Sequence, residues 1–239
     1  MNAERKKSPI GVLFLTVFVD LVGFSIIFPL FPDMLDYYRL EGGFFADWIT
    51  QLAKFSGEGE TLEDKKFLAT VLFGGILGSL YSILQFLFAP MWGRLSDRIG
   101  RRPVLLITIG GLCVSYLVWI FSHSFLLLII SRVLGGAMGG NISVATAAMA
   151  DSTDKKNRAK GMGMIGMAFG LGFILGPAIG ALLSGFELDK ALPGMGFNPF
   201  SAAAAGAFLL SLWNLSWVMR SFKESLPEQE RGKAHQAGR

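Results

Sequence analysis

Six stretches of apolar residues, at about Ile10–Phe31, Phe67–Trp92, Pro103–Ser122, Phe125–Ala150, Gly161–Ser184 and Phe200–Met219, dominate this chain. A helix rises about 1.5 Å per residue, so each stretch is long enough to cross a hydrocarbon core of roughly 30 Å. The predicted fold is all-α: a polytopic membrane bundle of six transmembrane helices. Composition agrees. Hydrophobic residues make up 52% of the chain and charged residues 17%, and the mean hydropathy is +0.50. That leaves too few charges to cover a water-soluble surface of this size. The first stretch is no cleaved signal peptide: it is too long, it holds Asp20, and no small-residue cleavage site follows. One cysteine, Cys113, lies inside a span, which excludes a disulfide framework and a cysteine-type metal site. No cofactor is expected.

Lysine and arginine set the expected orientation. With the N-terminus inside, sixteen of the 22 basic residues fall on inner segments, five on outer ones, and Arg132 lies within the fourth span. Both termini are then cytosolic, in the plasma membrane or an endomembrane, and the net charge of +4 is a topology signal. The most basic segment is Gly93–Leu105, Gly-Arg-Leu-Ser-Asp-Arg-Ile-Gly-Arg-Arg-Pro-Val-Leu, expected as a tight loop at the inner surface. Four arginines in nine residues cannot sit in hydrocarbon. The loop is too short, and too firmly held at both ends, for nucleic acid to be its partner.

The remaining loops are uneven. Only His123 and Ser124 separate the third and fourth spans, which predicts a tight hairpin. The first outer loop, about Pro32 to Lys66, is long and acidic. Within it Phe44, Phe45, Trp48, Ile49, Leu52 and Phe55 recur at helical spacing, which predicts a short amphipathic helix on the membrane surface or on the bundle. Thr61 and Asp64 fit a capping box opening the second span. The loop after the fifth span, Gly185 to Pro199, is apolar.

An ionisable residue inside a span is a functional candidate by default. Two are present, Asp20 and Arg132. Asp20 lies about ten residues from the inner end of its helix, near the midplane, and Arg132 about seven residues from the outer end of its own. Desolvation favours the neutral form of a buried carboxyl and a nearby guanidinium favours the ionised form. That competition suits a group that loads and releases a proton. A fixed structural ion pair is the alternative use of the same two residues. Arg132, Gly136, Gly139, Ser143 and Thr146 fall on one helical face and could line a polar path, whereas Asn141 faces away, towards a neighbouring helix.

The fifth span carries Gly172-x-x-x-Gly176-Pro177-x-x-Gly180. Glycines at this spacing let helices touch backbone to backbone, and proline adds a kink. Gly166 and Gly170 are expected to extend the same face. A phosphate cradle is excluded, since no strand precedes these glycines and no Lys-Ser/Thr follows. His123 and His235 fall on opposite sides of the membrane, and no intramembrane acid pair or metal motif is present, so no enzymatic site is expected.

The pattern G-x-L-x-D-R-x-G-R-R-x-x-L from Gly93 resembles the signature loop of the major facilitator superfamily. Asp20-x-x-Gly23 with Pro29 and Pro32, Arg132-x-x-Gly-Gly136, and the fifth-span glycines resemble further motifs of its drug:proton antiporters, in family order along nearly the whole chain. Val71–Ser79, Leu84-Gln85-Phe86, Ala89-Pro90 and the long acidic loop are similar to the animal tetracycline-transporter-like members. The resemblance implies half of a major facilitator fold, built from two three-helix inverted repeats. It implies a proton-coupled, alternating-access carrier for amphipathic organic solutes, organic anions or drugs. Asp20 and Arg132 would form the proton and substrate site. Phe24, Gln85, Gly136, Ser143 and Thr146 would line the cavity. Gly93, Asp97, Arg98, Gly100, Arg101 and Arg102 would form an inner-surface latch, and Gly172, Gly176, Pro177 and Gly180 the antiporter helix motif. Residues 1–222 are expected as the six-helix half-bundle and 223–239 as a polar cytosolic tail or the start of a linker. Expected partners are the lipid bilayer, a small organic solute, protons, and a missing C-terminal six-helix half or a second copy of the chain. Alternatives are a half-size binding or regulatory protein and a homodimeric half-transporter.

Overall fold

The computed structural model describes residues 9–40 and 62–231. The amphipathic segment expected at 44–55, and Thr61 of the expected capping box, lie outside the described residues. Six spans are present, each long and apolar enough to cross a membrane. The first consists of α1 (Pro9–Ser25), a 3₁₀ turn at Phe28–Leu30 and α2 (Phe31–Leu40). The second is α3 (Leu62–Ile99) and the third α4 (Arg101–Ile120). The fourth is α5 (Phe125–Met138) with α6 (Asn141–Asp151). The fifth is α7 (Arg158–Leu183), followed by a short α8 (Leu188–Ala191), and the sixth is α9 (Ser201–Ser221).

Three boundaries differ from expectation. The first span does not stop near Phe31. Pro29 sits in the 3₁₀ turn and the chain resumes as α2, which buries Met34, Leu35 and Tyr38. Asp33, Asp36 and Arg39 hide this helix from a hydropathy count. The Arg-rich segment, expected as a tight loop, is almost wholly helical. α3 runs on to Ile99 and α4 starts at Arg101, so only Gly100 breaks the helix, at φ 107°. Such a φ strains any residue with a Cβ and suits glycine. The fourth span is two helices, not one.

That break has a clear cause. A Cβ on Gly140 would lie 2.6 Å from Trp92 Cβ, so the backbone turns where the indole enters. Trp92 Nε1 donates to the Ala137 carbonyl at 2.7 Å, and Gln85 Nε2 to the Gly139 carbonyl at 2.9 Å. Side chains from α3 thus satisfy carbonyls that the interrupted helix leaves free. At membrane depth such an interruption is tolerated only with this kind of help.

Packing follows a two-fold logic. α1 packs along α7, α3 packs along α5, and α4 packs along α9. Exchange of spans 1, 2 and 3 with 4, 5 and 6 maps the first pairing onto the second and the third onto itself, as two inverted three-helix repeats require. The apolar core lies in two clusters. One, around Tyr38, Phe73, Tyr116 and Trp119, lies towards the hairpin end. The other, around Leu13, Trp92, Leu105 and Met149, lies towards the arginine-rich end.

α4 is held at both tips. Asn198 Nδ2 donates to the carbonyls of Ile120 at 3.2 Å and Ser122 at 3.1 Å. Tyr38 OH also donates to Ser122 O, at 2.8 Å. At the other tip Glu224 accepts the backbone N–H of Arg101 at 2.8 Å and of Arg102 at 3.1 Å. An acidic side chain there satisfies free donors and complements the positive end of the helix dipole. Residues 223–226, at the start of the stretch expected as a polar tail or linker, dock on the bundle through Glu224 and buried Leu226.

Candidate functional site

The seam between α1 and α7 positions the site. A Cβ on Gly172 would stand 2.6 Å from Leu21 Cβ, one on Gly176 2.9 Å from Val22 O, and one on Gly180 3.1 Å from Pro29 Cγ. The three glycines, one turn apart, let α1 lie on α7 backbone to backbone. Ser25 Oγ fastens the contact, donating to Leu21 O at 2.7 Å and standing 3.1 Å from Gly172 O. Pro177 is half-buried within α7. Gly166 and Gly170 do not extend this seam: both are exposed, with open space where a Cβ would stand. α7 has turned by then, and they face away from α1.

Beside the seam a groove of about 380 Å³ opens along α1, α3, α6 and α7. Asp20, Phe24, Tyr81, Gln85, Ser143 and Phe173 line it. Asp20 is buried at its floor, with only 3% of its surface accessible. Phe24 packs against Tyr81 at 4.8 Å between ring centroids and against Phe173 at 6.0 Å. Of the cavity residues expected from sequence, Phe24, Gln85 and Ser143 face this groove. Gly136 instead abuts the backbone of α3, where a Cβ would lie 2.7 Å from Tyr81 O. Thr146 turns its hydroxyl to its own helix, donating to Ile142 O at 2.6 Å.

Asp20 and Arg132 are not brought together. Asn141 Nδ2 donates to Asp20 Oδ1 at 3.4 Å, and Asn141 Oδ1 meets the Thr108 hydroxyl of α4. Asn141 thus bridges two helices from the break in the fourth span. Arg132, 2% accessible, lays its guanidinium 4.6 Å from the centroid of the Trp119 ring. Its Nε reaches Ser131 Oγ at 3.3 Å, and its Nη2 has no acceptor among the described residues. A carboxyl and a guanidinium are therefore both buried, each with a neutral companion.

The arginine-rich end forms a compact polar knot. Arg101 is nearly buried, and its guanidinium holds Asp97 at 2.6 Å, Asp151 at 2.9 Å and Ser96 Oγ at 2.6 Å. Three helices, α3, α4 and α6, meet in that one fork. Arg102 Nη2 donates to Met219 O at 2.8 Å, on the last turn of α9. Gly100 leaves room for Glu224, whose carboxyl carbon would stand 2.8 Å from a Cβ there. Gly93 faces Ser143 Oγ, which a Cβ on that glycine would meet at 3.5 Å. Arg98 is exposed.

Three residues that sequence reasoning did not place as functional organise these features: Asn141, Asn198 and Glu224. Polar side chains in or beside apolar runs were the one signal for them. Their partners lie far along the chain, and spacing within a span does not reveal them.

Residues 13–237 match the Major Facilitator Superfamily. Major facilitator superfamily domain-containing protein 10 of Bos taurus is 37% identical over 223 residues, 93% of this chain and 45% of that protein. Tetracycline resistance protein, class H, of Pasteurella multocida is 34% identical over 91% of this chain and 46% of its own length. Among solved structures, that of the human organic anion transporter MFSD10 (TETRAN) superposes with a TM-score of 0.79 at 35% identity, covering 95% of this chain and 50% of that one. A bacterial homologue of the human lysosomal transporter Spinster shares the fold, with a TM-score of 0.65 at 14% identity. The chain spans about half the length of the curated relatives it matches.

Proposed function

The chain belongs to the major facilitator superfamily, and from that premise we propose that it forms one six-helix half of a proton-coupled, alternating-access carrier for amphipathic organic solutes, organic anions in particular. One observation carries the reading: a buried carboxyl, Asp20, at the floor of an aromatic-lined groove of about 380 Å³ in a multi-pass membrane bundle. Phe24, Phe86, Phe169 and Phe173 offer apolar faces to a ring-bearing solute, while Gln85 and Ser143 offer hydrogen bonds. Asp20 is the proton site. The names of the relatives, an organic anion transporter and tetracycline resistance proteins, support the solute class.

The second and fifth spans bury only 28% of their most apolar windows, the lowest share of the six. Both border the groove. A second six-helix unit, whether a further segment of the same protein or a second copy, would cover them and close the groove into a central cavity. The basic end faces the cytosol, and the Arg101 knot steadies the bundle there as the two units rock. The test is uptake of a fluorescent organic anion into liposomes, driven by a pH gradient. The chain alone should insert without carrying flux. Flux should appear when it is paired with a second unit, and Asp20→Asn should abolish the gradient-driven part. Undiminished gradient-driven uptake by Asp20→Asn would remove Asp20 from the mechanism.

A further inference from the structure

Away from the groove, α9 exposes Leu209, Trp213, Trp217 and Arg220. Spacings of four, four and three residues set them in one stripe down the helix. Trp213 and Trp217 meet edge to face, 5.2 Å between ring centroids. Trp217 stands four residues before Ser221, where α9 ends, which is about 6 Å, and Trp213 about 12 Å, from that end. Indoles settle at such depths, between acyl chains and headgroups. Arg220 follows on the last turn. α4, which packs along α9, exposes a second stripe: Pro103, Ile107, Val114 and Leu117. Neither helix borders the groove.

At the foot of the α9 stripe, cations gather without acids. Arg220 is exposed on the last turn, and Lys223 is exposed just beyond it. Arg102, in the first turn of α4, reaches the same place, since its Nη2 donates to Met219 O at 2.8 Å. Among the described residues no carboxylate pairs with any of these three side chains. The acids of this end are engaged elsewhere. Asp97 and Asp151 hold Arg101. Glu224 turns its carboxylate to the backbone N–H groups of Arg101, Arg102, Ser225 and Leu226. Glu228 stands 3.8 Å from Arg231. Two atoms of residues that flank Glu224, Arg102 Nε and Ser225 Oγ, are shielded from water without a partner among the described residues. Like charges gathered at a bilayer rim repel one another, and an anion among them removes that repulsion.

We propose that Arg102, Arg220 and Lys223, at the foot of the Trp213–Trp217 stripe, bind a phospholipid with a net negative headgroup. Its phosphate lies among the three cations, which offer charge-assisted hydrogen bonds. Its glycerol lies beside the Trp217 ring, and its acyl chains run along the apolar stripes of α9 and α4. A zwitterionic headgroup suits the corner less, because it brings its own ammonium to a place that holds three cations and no free acid. The lipid also steadies the end of the bundle. Arg102 joins α4 to the last turn of α9, and Glu224, next to Lys223, caps α4. The other basic run at this end, Lys155, Lys156, Arg158 and Lys160, has no tryptophan on the helix it opens. Such a lipid site requires only the membrane bundle and is independent of what the groove carries.

The test uses the purified full chain in dodecyl maltoside. Phosphatidylglycerol is the probe, phosphatidylcholine its zwitterionic counterpart, and glycerol 3-phosphate the free headgroup phosphate. The readouts are unfolding temperature and the lipid retained in native mass spectrometry. Phosphatidylglycerol should raise the unfolding temperature saturably and stay bound. Phosphatidylcholine should bind at least about tenfold more weakly, and glycerol 3-phosphate should have no effect. Each cation beside an anionic headgroup is worth about fivefold in affinity. Arg220→Gln combined with Lys223→Gln should therefore weaken phosphatidylglycerol binding at least about tenfold, and both positions are exposed, so the variant keeps its fold. Trp217→Leu should weaken binding several-fold. Lys155→Gln combined with Lys156→Gln should leave it unchanged. Equal effects of the two phospholipids would overturn the headgroup assignment. A loss in the Lys155 and Lys156 variant as large as in the Arg220 and Lys223 variant would reduce the site to general attraction to a basic surface. Stabilisation by glycerol 3-phosphate equal to that by the lipid would replace the lipid with a free anion. Binding unmoved in both the Arg220 and Lys223 variant and the Trp217 variant would overturn the location.

Discussion

Asp20 receives its hydrogen bond from Asn141, 3.4 Å away across the break in the fourth span, and not from Arg132. Asn141 sits at the start of α6 because Gly139 and Gly140 end α5 early. The proton-site candidate is thus tied to a helix interruption, and through Asn141 to Thr108 on α4. Replacing Asn141 by alanine leaves two buried groups without this partner. The expected loss is about 1–3 kcal/mol of stability, together with a displaced pH profile of anion uptake in the reassembled carrier. Thermal unfolding and the uptake profile check it, and an unmoved profile would show that Asn141 is only a packing residue.

The glycines of α7 divide sharply. Gly176→Ala places a methyl group against Ser25 Oγ and the Val22 carbonyl, and Gly180→Ala places one against the Ile26 carbonyl just beyond α1. Each should destabilise the bundle by about 1–3 kcal/mol or more. Gly166→Ala and Gly170→Ala meet open space and should leave the isolated chain as stable or slightly more so. A series of unfolding temperatures in one detergent separates the two groups. Equal loss at all four positions would contradict the seam.

Glu224 caps α4 through two backbone bonds. Glu224→Ala should cost about 1–2 kcal/mol, and exposed Lys223→Ala close to nothing. Gly100→Ala should cost more than Glu224→Ala, since it adds a strained φ to a collision with the carboxylate. Limited proteolysis after residue 222, alongside thermal unfolding, would show whether the segment beyond Phe222 is released.

Arg101 serves Asp97, Asp151 and Ser96 from one planar fork. Arg101→Lys keeps the charge but cannot span three acceptors at those angles. The variant should insert normally, yet loosen the contact between α3, α4 and α6. Hydrogen exchange at Asp151–Thr153 and near Ser96 should rise several-fold. Unchanged exchange would mean that charge alone, and not the fork, holds the knot.

The proposed orientation is open to direct labelling. With buried Cys113 replaced by serine, Lys156→Cys should react with a membrane-impermeant thiol reagent from the cytosolic side only, and Asp189→Cys from the opposite side only. The reverse pattern would invert the bundle.

The chain itself determined six membrane-crossing helices, because apolar length and charge exclusion act locally along the sequence. It also marked the face of α7 that packs backbone to backbone, since glycine at every fourth residue permits close approach, while the structure decided that α1 is the helix lying on it. Where the reading failed, partners distant in sequence decided. The fourth span breaks because Trp92 and Gln85 of α3 enter and satisfy it, and the Arg-rich segment stays helical because Glu224, more than a hundred residues on, caps its restart at Gly100. Asp20 and Arg132 were both legible as costly residues at depth. Their separation was not, since helix rotation about the glycine seam and the indole of Trp119 sets which face each presents. Hydrophobic burial in a bilayer fixes how long a helix must be. Only side-chain packing between helices decides which polar groups meet.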